Sequence, residues 1–207
     1  MKKFIALILL TAFNAHAEFE VGLHFDTQGN LIHPDAYILA KAIKADEKGF
    51  SDTATKKYAQ SAKFGNKNAM YLNAMHYFKS KDWANGYAWV RLIKGNFLDV
   101  KSFKAQILPL MTDAELQSSN LIFQSLEEDY SDIAALERRE KWEKSIKLTG
   151  SHLGGIDRST SNVRIYFGDT GQSITQNNLS KQVLKFKYEY EEVKTDIKMG
   201  EIITVDK

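Results

Sequence analysis

The helix that the sequence predicts over Asn66–Phe78, NKNAMYLNAMHYF, is apolar around most of its circumference, and this constrains the fold more than any other feature. A surface helix of a globular domain buries one stripe at i, i+3, i+4 spacing. This one carries two. Ala69, Met70, Ala74 and Tyr77 form the first, and Tyr71, Met75 and Phe78 form a second at i, i+4, i+7. A helix of that kind needs neighbours on more than one side, so its place is central among other helices.

Local punctuation supplies those neighbours. Pro34 and Asp35 open a helix that stops at Gly49, and Ser51 or Asp52 caps the next, which Gly65 ends. Asn66 caps the central helix, and Asp82 starts WANGYAWVRLIK, ended by Gly95. A further helix covers Val100–Leu110. Thr112-Asp113-Ala114-Glu115 is a capping box that launches a helix to Tyr130, and Ser131 or Asp132 caps one more, through Leu148. Before these helices, EFEVGLHFDTQGNLI alternates around a turn cluster and reads as a short strand or hairpin. After Gly150 the chain turns to Gly, Ser and Thr, and then to the β-favouring runs VRIYF, QSIT, VLKFKYEYEEV and EIITV.

Two of the helices echo each other. Ala54 recurs as Ala84, and KFGN (Lys63–Asn66) recurs as IKGN (Ile93–Asn96), both at an offset of thirty positions. Ala69, Tyr71, Ala74 and Tyr77 follow the A-x-Y-x-x-[small]-x-x-Y rhythm of a first repeat helix. Ala84, Tyr87, Leu92 and Gly95 follow the rhythm of a second, and Ser61, Ala62 and Gly65 repeat its end one unit earlier. Over Ala54–Gly95, near a fifth of the chain, this resembles the Sel-1-like repeat, a relative of the tetratricopeptide repeat. Asn73 stands where that family prefers Leu, Ser80 where it usually has Gly, and Arg91 where it has the first Ala of a pair. The resemblance implies stacked antiparallel helical hairpins, a short α-solenoid, with a concave groove that takes a peptide or partner segment. By that resemblance the groove candidates are Tyr71, Met75 and Phe78. Trp83, Tyr87, Trp89 and Arg91 on the second helix add side chains of interface type. The alternative for the Tyr71 face is cover by the protein's own flanks, with the Glu18–Ile32 strand and the β tail both available to dock there.

The chain opens MKKFIALILLTAFNAHA, a short basic region, an apolar run and an Ala-x-Ala end, the pattern of a cleaved signal peptide over 1–17. Removing Lys2 and Lys3 with it leaves 26 basic against 26 acidic residues, a balance that points to neither nucleic acid nor an anionic membrane surface. There is no cysteine, which excludes disulfides, thiolate metal sites and a cysteine nucleophile. His24, His33, His76 and His152 share no metal-binding spacing, and no G-x-S-x-G, S-x-x-K or phosphate-cradling loop occurs. Glu137, Glu140 and Glu143 lie among Arg138, Arg139, Lys141 and Lys144, the composition of a solvated, ion-paired helix face.

The reading is therefore a mainly α protein with no catalytic residues, metal or cofactor. A leader (1–17) precedes an N-terminal strand or hairpin (18–33), a Sel-1-like repeat domain (34–149), a linker (150–161) and a small β-rich module (162–207). The expected role is that of a periplasmic or secreted adaptor that binds a protein or peptide of the cell envelope through its groove. The alternative is an envelope accessory factor whose β tail binds peptidoglycan or another glycan, with Tyr166, Phe167, Phe186, Tyr188 and Tyr190 as aromatic platforms; a hydrolase comes third.

Overall fold

The computed structural model describes residues 22–95, 97, 99–146, 164–167 and 172–186, with backbone alone for 164–167 and 172. The expected leader, the linker, and the strands beyond residue 187 lie outside the described residues. Within them the chain is mainly helical: β1 (His24–Phe25), β2 (Leu31–Ile32), α1 (Pro34–Glu47), α2 (Ser51–Ala62), α3 (Lys67–Lys79), α4 (Trp83–Leu92), α5 (Val100–Ile107), α6 (Asp113–Tyr130), α7 (Asp132–Ser145), β3 (Arg164–Phe167) and β4 (Gln172–Thr175). An eighth helix, α8, follows over 176–186.

Side-chain caps set most of the helix starts. Asn66 accepts from the Ala69 amide at 3.0 Å, Asp82 from Asn85 at 3.1 Å and Ser131 from Ala134 at 3.2 Å. Thr112 and Glu115 bond reciprocally as a capping box. Each satisfies amides that an isolated helix end leaves unpaired. At α2 the cap differs from expectation: Ser51 is the first helical residue, and Phe50 precedes it without a side-chain bond. Gly65 and Gly95, thirty positions apart, have φ of +83° and +79°, so both take the left-handed turn after a helix that favours glycine. The second unit then departs from the first, because α3 starts two residues after its glycine and α5 not until Val100.

Tight connections fold α1 on α2, α2 on α3 and α3 on α4, while α6 covers a further side of α4. The largest core cluster joins Ala62, Ala69, Met70, Ala74, Trp89, Val90 and Tyr130. Ala69 and Ala74 are fully buried, and their missing bulk lets neighbouring helices approach closely. Gly86 does the same within α4. A Cβ there would lie 2.6 Å from the Phe78 ring. Gly86→Ala is therefore expected to lose roughly 1–2 kcal/mol, overpacking outweighing the gain in helix propensity. In a Phe78→Ala background the same change should stabilise, and thermal unfolding of the four variants checks the reversal.

A second cluster joins both ends of the described chain. Leu31, Ile38 and Phe64 pack with Trp142 and Ile146 of α7, Ile174 of β4, and Leu179, Val183 and Phe186 of α8. Two features here correct the sequence reading. Among the described residues the expected strands over VRIYF and QSIT pair as the β3–β4 hairpin, but 176–186, which includes the start of the expected strand VLKFKYEYEEV, is helical, because Leu179, Val183 and Phe186 present an i, i+4, i+7 stripe to the helical body. And α7 reaches back to α1 and α2, whereas the units of a purely linear stack touch only their neighbours.

Arg138 and Arg139 make that return. Arg138 Nη1 donates to the Lys63 carbonyl at 3.2 Å and Arg139 Nε to the Phe64 carbonyl at 2.6 Å. Two consecutive cations thus satisfy acceptors just past the end of α2, where the helix dipole favours positive charge. Arg139 also lies 3.7 Å from Asp35 in a pair whose side chains are only 11% and 14% exposed. Asp35 in turn accepts from Asn66 Nδ2 at 3.0 Å.

Titration should report this packing. Burial first, then Asp46, pushes the Tyr58 phenol up to about 12, and burial first, then Asp129, does the same for Tyr130. A raised acid is neutral in the fold, so this contribution is complete below pH 10.0 and is lost as pH rises through about 12. Burial alone would raise the Asp129 carboxyl, but the hydrogen bond and charge of Lys63, then of Arg138, hold it below its ordinary 3.8. Its contribution is present above 3.8 and is lost as pH falls through the lowered value. Helical circular dichroism against phenolate absorbance is expected to show both flanks, with Tyr58→Phe flattening the alkaline one.

Candidate functional site

A partly exposed aromatic face is built by α3, α4 and α5. Tyr71, Met75 and Phe78 rise from α3 at the spacing of a single helical stripe, each half-buried. Phe78 meets Trp83 of α4 at 5.5 Å between ring centroids. Phe103 of α5 meets Phe78 at 5.9 Å and Tyr71 at 5.9 Å, both edge-on. Edge-on and tilted pairs at these separations are the favourable arrangements of aromatic quadrupoles.

The cover over the Tyr71 stripe is thus α5. The described parts of the N-terminal hairpin and of the C-terminal region, residues 22–32 and 174–186, pack instead with Ile38 of α1, Phe64 and α7. The reason is amphipathicity at short range. Val100, Phe103 and Ile107 face inward from α5, while Lys101, Ser102, Ala105 and Gln106 are exposed. Lys104 Nζ donates to the Ile93 carbonyl at 3.2 Å, tying α5 to the end of α4. Burial, and then the neighbouring Arg91 charge, lower the Lys104 pKa. Beyond Ile107 the chain continues as a 3-10 turn, Leu108–Leu110, in which Leu108 and Leu110 are 44% and 65% exposed.

The other groove candidates separate. Trp89 is only 4% exposed and packs on Tyr130 at 4.7 Å, which makes it core rather than groove. Arg91 turns to α6, bonding Asn120 at 2.6 Å and lying 4.1 Å from the Phe123 ring centroid. Tyr87 is half-buried on α4. Tyr71, Met75, Phe78 and Trp83 therefore share one face, Trp89 and Arg91 belong to the α4–α6 contact, and Phe103 is the member that sequence reasoning missed. Its signal was present in the Val100, Phe103, Ile107 spacing.

Phe186 is no glycan platform either. It is 3% exposed, 5.7 Å from Trp142 and 4.1 Å from His33. The side chains of Tyr166 and Phe167, and all of Tyr188 and Tyr190, lie outside the described residues. The described histidines have structural surroundings: His24 stacks on Tyr37 at 3.4 Å, and His76 lies 4.0 Å from Asp46, while His152 lies outside the described residues. Among the described residues no group of three or more His, Cys, Asp or Glu could hold a metal ion. No described helix is long and apolar enough to cross a membrane.

Asn73, on the opposite side of α3 from this stripe, is fully buried with neither amide atom bonded. An unpaired buried polar group costs about 1–3 kcal/mol. Asn73→Leu is accordingly expected to raise the denaturation midpoint, by up to that amount, in urea unfolding.

A scan against protein-family models and searches of curated proteins and of solved structures find no match to this chain.

Proposed function

We propose that the chain is an exported, non-enzymatic adaptor of Sel-1-like type that holds a protein partner of the cell envelope against its α3–α5 face. One observation carries the reading: beside the aromatic cluster of Tyr71, Phe78, Trp83 and Phe103, which is only partly buried, the end of α5 leaves Leu108 and Leu110 exposed. Exposed leucines beside partly buried aromatic rings are a usual mark of a contact with another macromolecule. The paired left-handed glycines at 65 and 95 support the repeat-like part of the reading. This face offers shape and apolar burial, so recognition rather than bond-making is the chemistry it can perform.

Affinity capture from an envelope extract tests this, with Leu108→Ser/Leu110→Ser compared against wild type. Both side chains are exposed, so thermal stability should not change. Loss of specific partners at unchanged stability is expected. An unchanged set of captured proteins would sink the proposal.

A further inference from the structure

A second surface, formed where the N-terminal hairpin meets the C-terminal elements, has a different chemistry. The turn between β1 and β2 faces the end of β4 and the first turns of α8 across a cleft of about 270 Å³. Gln28, Asn30, Ser173, Thr175, Asn178 and Gln182 supply its polar lining, with no ionisable side chain among the lining residues.

We propose that this cleft binds a neutral polyhydroxyl ligand, a sugar ring or the end of a saccharide chain. Amide and hydroxyl side chains both donate and accept, as sugar hydroxyls do, and a phosphate, carboxylate or ammonium would find no counter-charge in the lining. The walls are fixed before a ligand arrives. Asp26 accepts from the backbone amides of Gln28 and Asn30 at 2.8 Å each and from Asn30 Nδ2 at 3.0 Å, which commits its carboxylate to the turn. Gly29 takes φ of +84° at the tip. Leu31 N donates to Gln182 Oε1 at 2.6 Å, tying the hairpin to α8, and Asn178 N donates to Thr175 Oγ1 at 3.3 Å. The Ser173 hydroxyl, the Asn178 side-chain amide and Gln182 Nε2 make no bond among the described residues, so they are available to a ligand. The volume lies just below the range of roughly 300–1,000 Å³ typical of small-molecule pockets, which fits one ring better than a long chain.

The test is a titration of the full chain with chitotetraose and with maltotetraose, followed by amide chemical-shift perturbation and calorimetry. Glucose 6-phosphate is the charged control. Saturable binding of at least one neutral saccharide is expected, with shifts centred on residues 28–30 and 173–182. Ser173→Ala/Asn178→Ala should weaken it about tenfold, the loss expected for one or two hydrogen bonds, with the unfolding temperature unchanged. Absence of binding by both saccharides, equal affinity in the double variant, or preference for the phosphorylated sugar would each overturn the proposal.

Discussion

Arg139→Ala is expected to lower the stability of the fold by about 3–5 kcal/mol, the loss typical of removing one partner from a buried ion pair. Three consequences fall together. Asp35 loses its cationic partner at a site where its Oδ1 already has no hydrogen-bond partner. The Phe64 carbonyl loses its donor at 2.6 Å. The Phe186 ring loses the guanidinium that lies 4.2 Å from its centroid. Much of the loss is the stranded charge, so it should be recoverable. Asp35→Asn/Arg139→Met is expected to be less destabilised than the two single changes summed, because no unpaired ion remains. Urea denaturation of the four-member cycle measures the coupling, and a loss under about 1 kcal/mol for Arg139→Ala would show that water reaches the pair.

Trp142→Ala should be comparably damaging, about 3–5 kcal/mol, as for other large aromatic truncations in a core. Trp142 is 5% exposed and sits between the helical body and α8, edge-on to Phe186. Its loss leaves Leu179, Val183 and Phe186 facing a cavity instead of a packed wall. Because the same cluster contains Leu31, Ile38 and Phe64, the whole protein should unfold earlier in one transition. Amide exchange in 176–186 should accelerate together with that of α1. A variant in which α8 melts by itself, while α1 keeps its protection, would show that the C-terminal helix is an appendage.

Local rules accounted for much of the helical region. Asn66, Asp82, Thr112 and Ser131 each announce a helix because their side chains answer a need confined to one turn. The segment 183–186 was misread as strand because VLKFKYEYEE alternates, while its first residues, Val183 and Phe186, complete the helical stripe begun at Leu179. A short apolar run supports either period, and tertiary burial decides. Arg139 was legible but overlooked. It stands three residues after Leu136 and three before Trp142, inside the buried stripe of α7, so it could not belong to a solvated face. For the candidate site the stripe on α3 was visible, whereas its cover was not. That α5 folds back over Tyr71 and Phe78 depends on how the connection after Gly95 turns, and no residue pattern within α3 encodes it.

The bond from Leu31 to Gln182 spans 151 positions, and the contact of Arg139 with Phe64 spans 75. Helices α1 to α4 can find each other as soon as they are made, but the cover over Ile38 and Phe64 is complete only when α7 and then α8 arrive. Loop-closure entropy must be met before such distant partners reward one another, which slows folding. A chain emerging from its N-terminus therefore has this apolar flank incomplete until its C-terminal elements follow. Folding to the native state is gated by its last described helix.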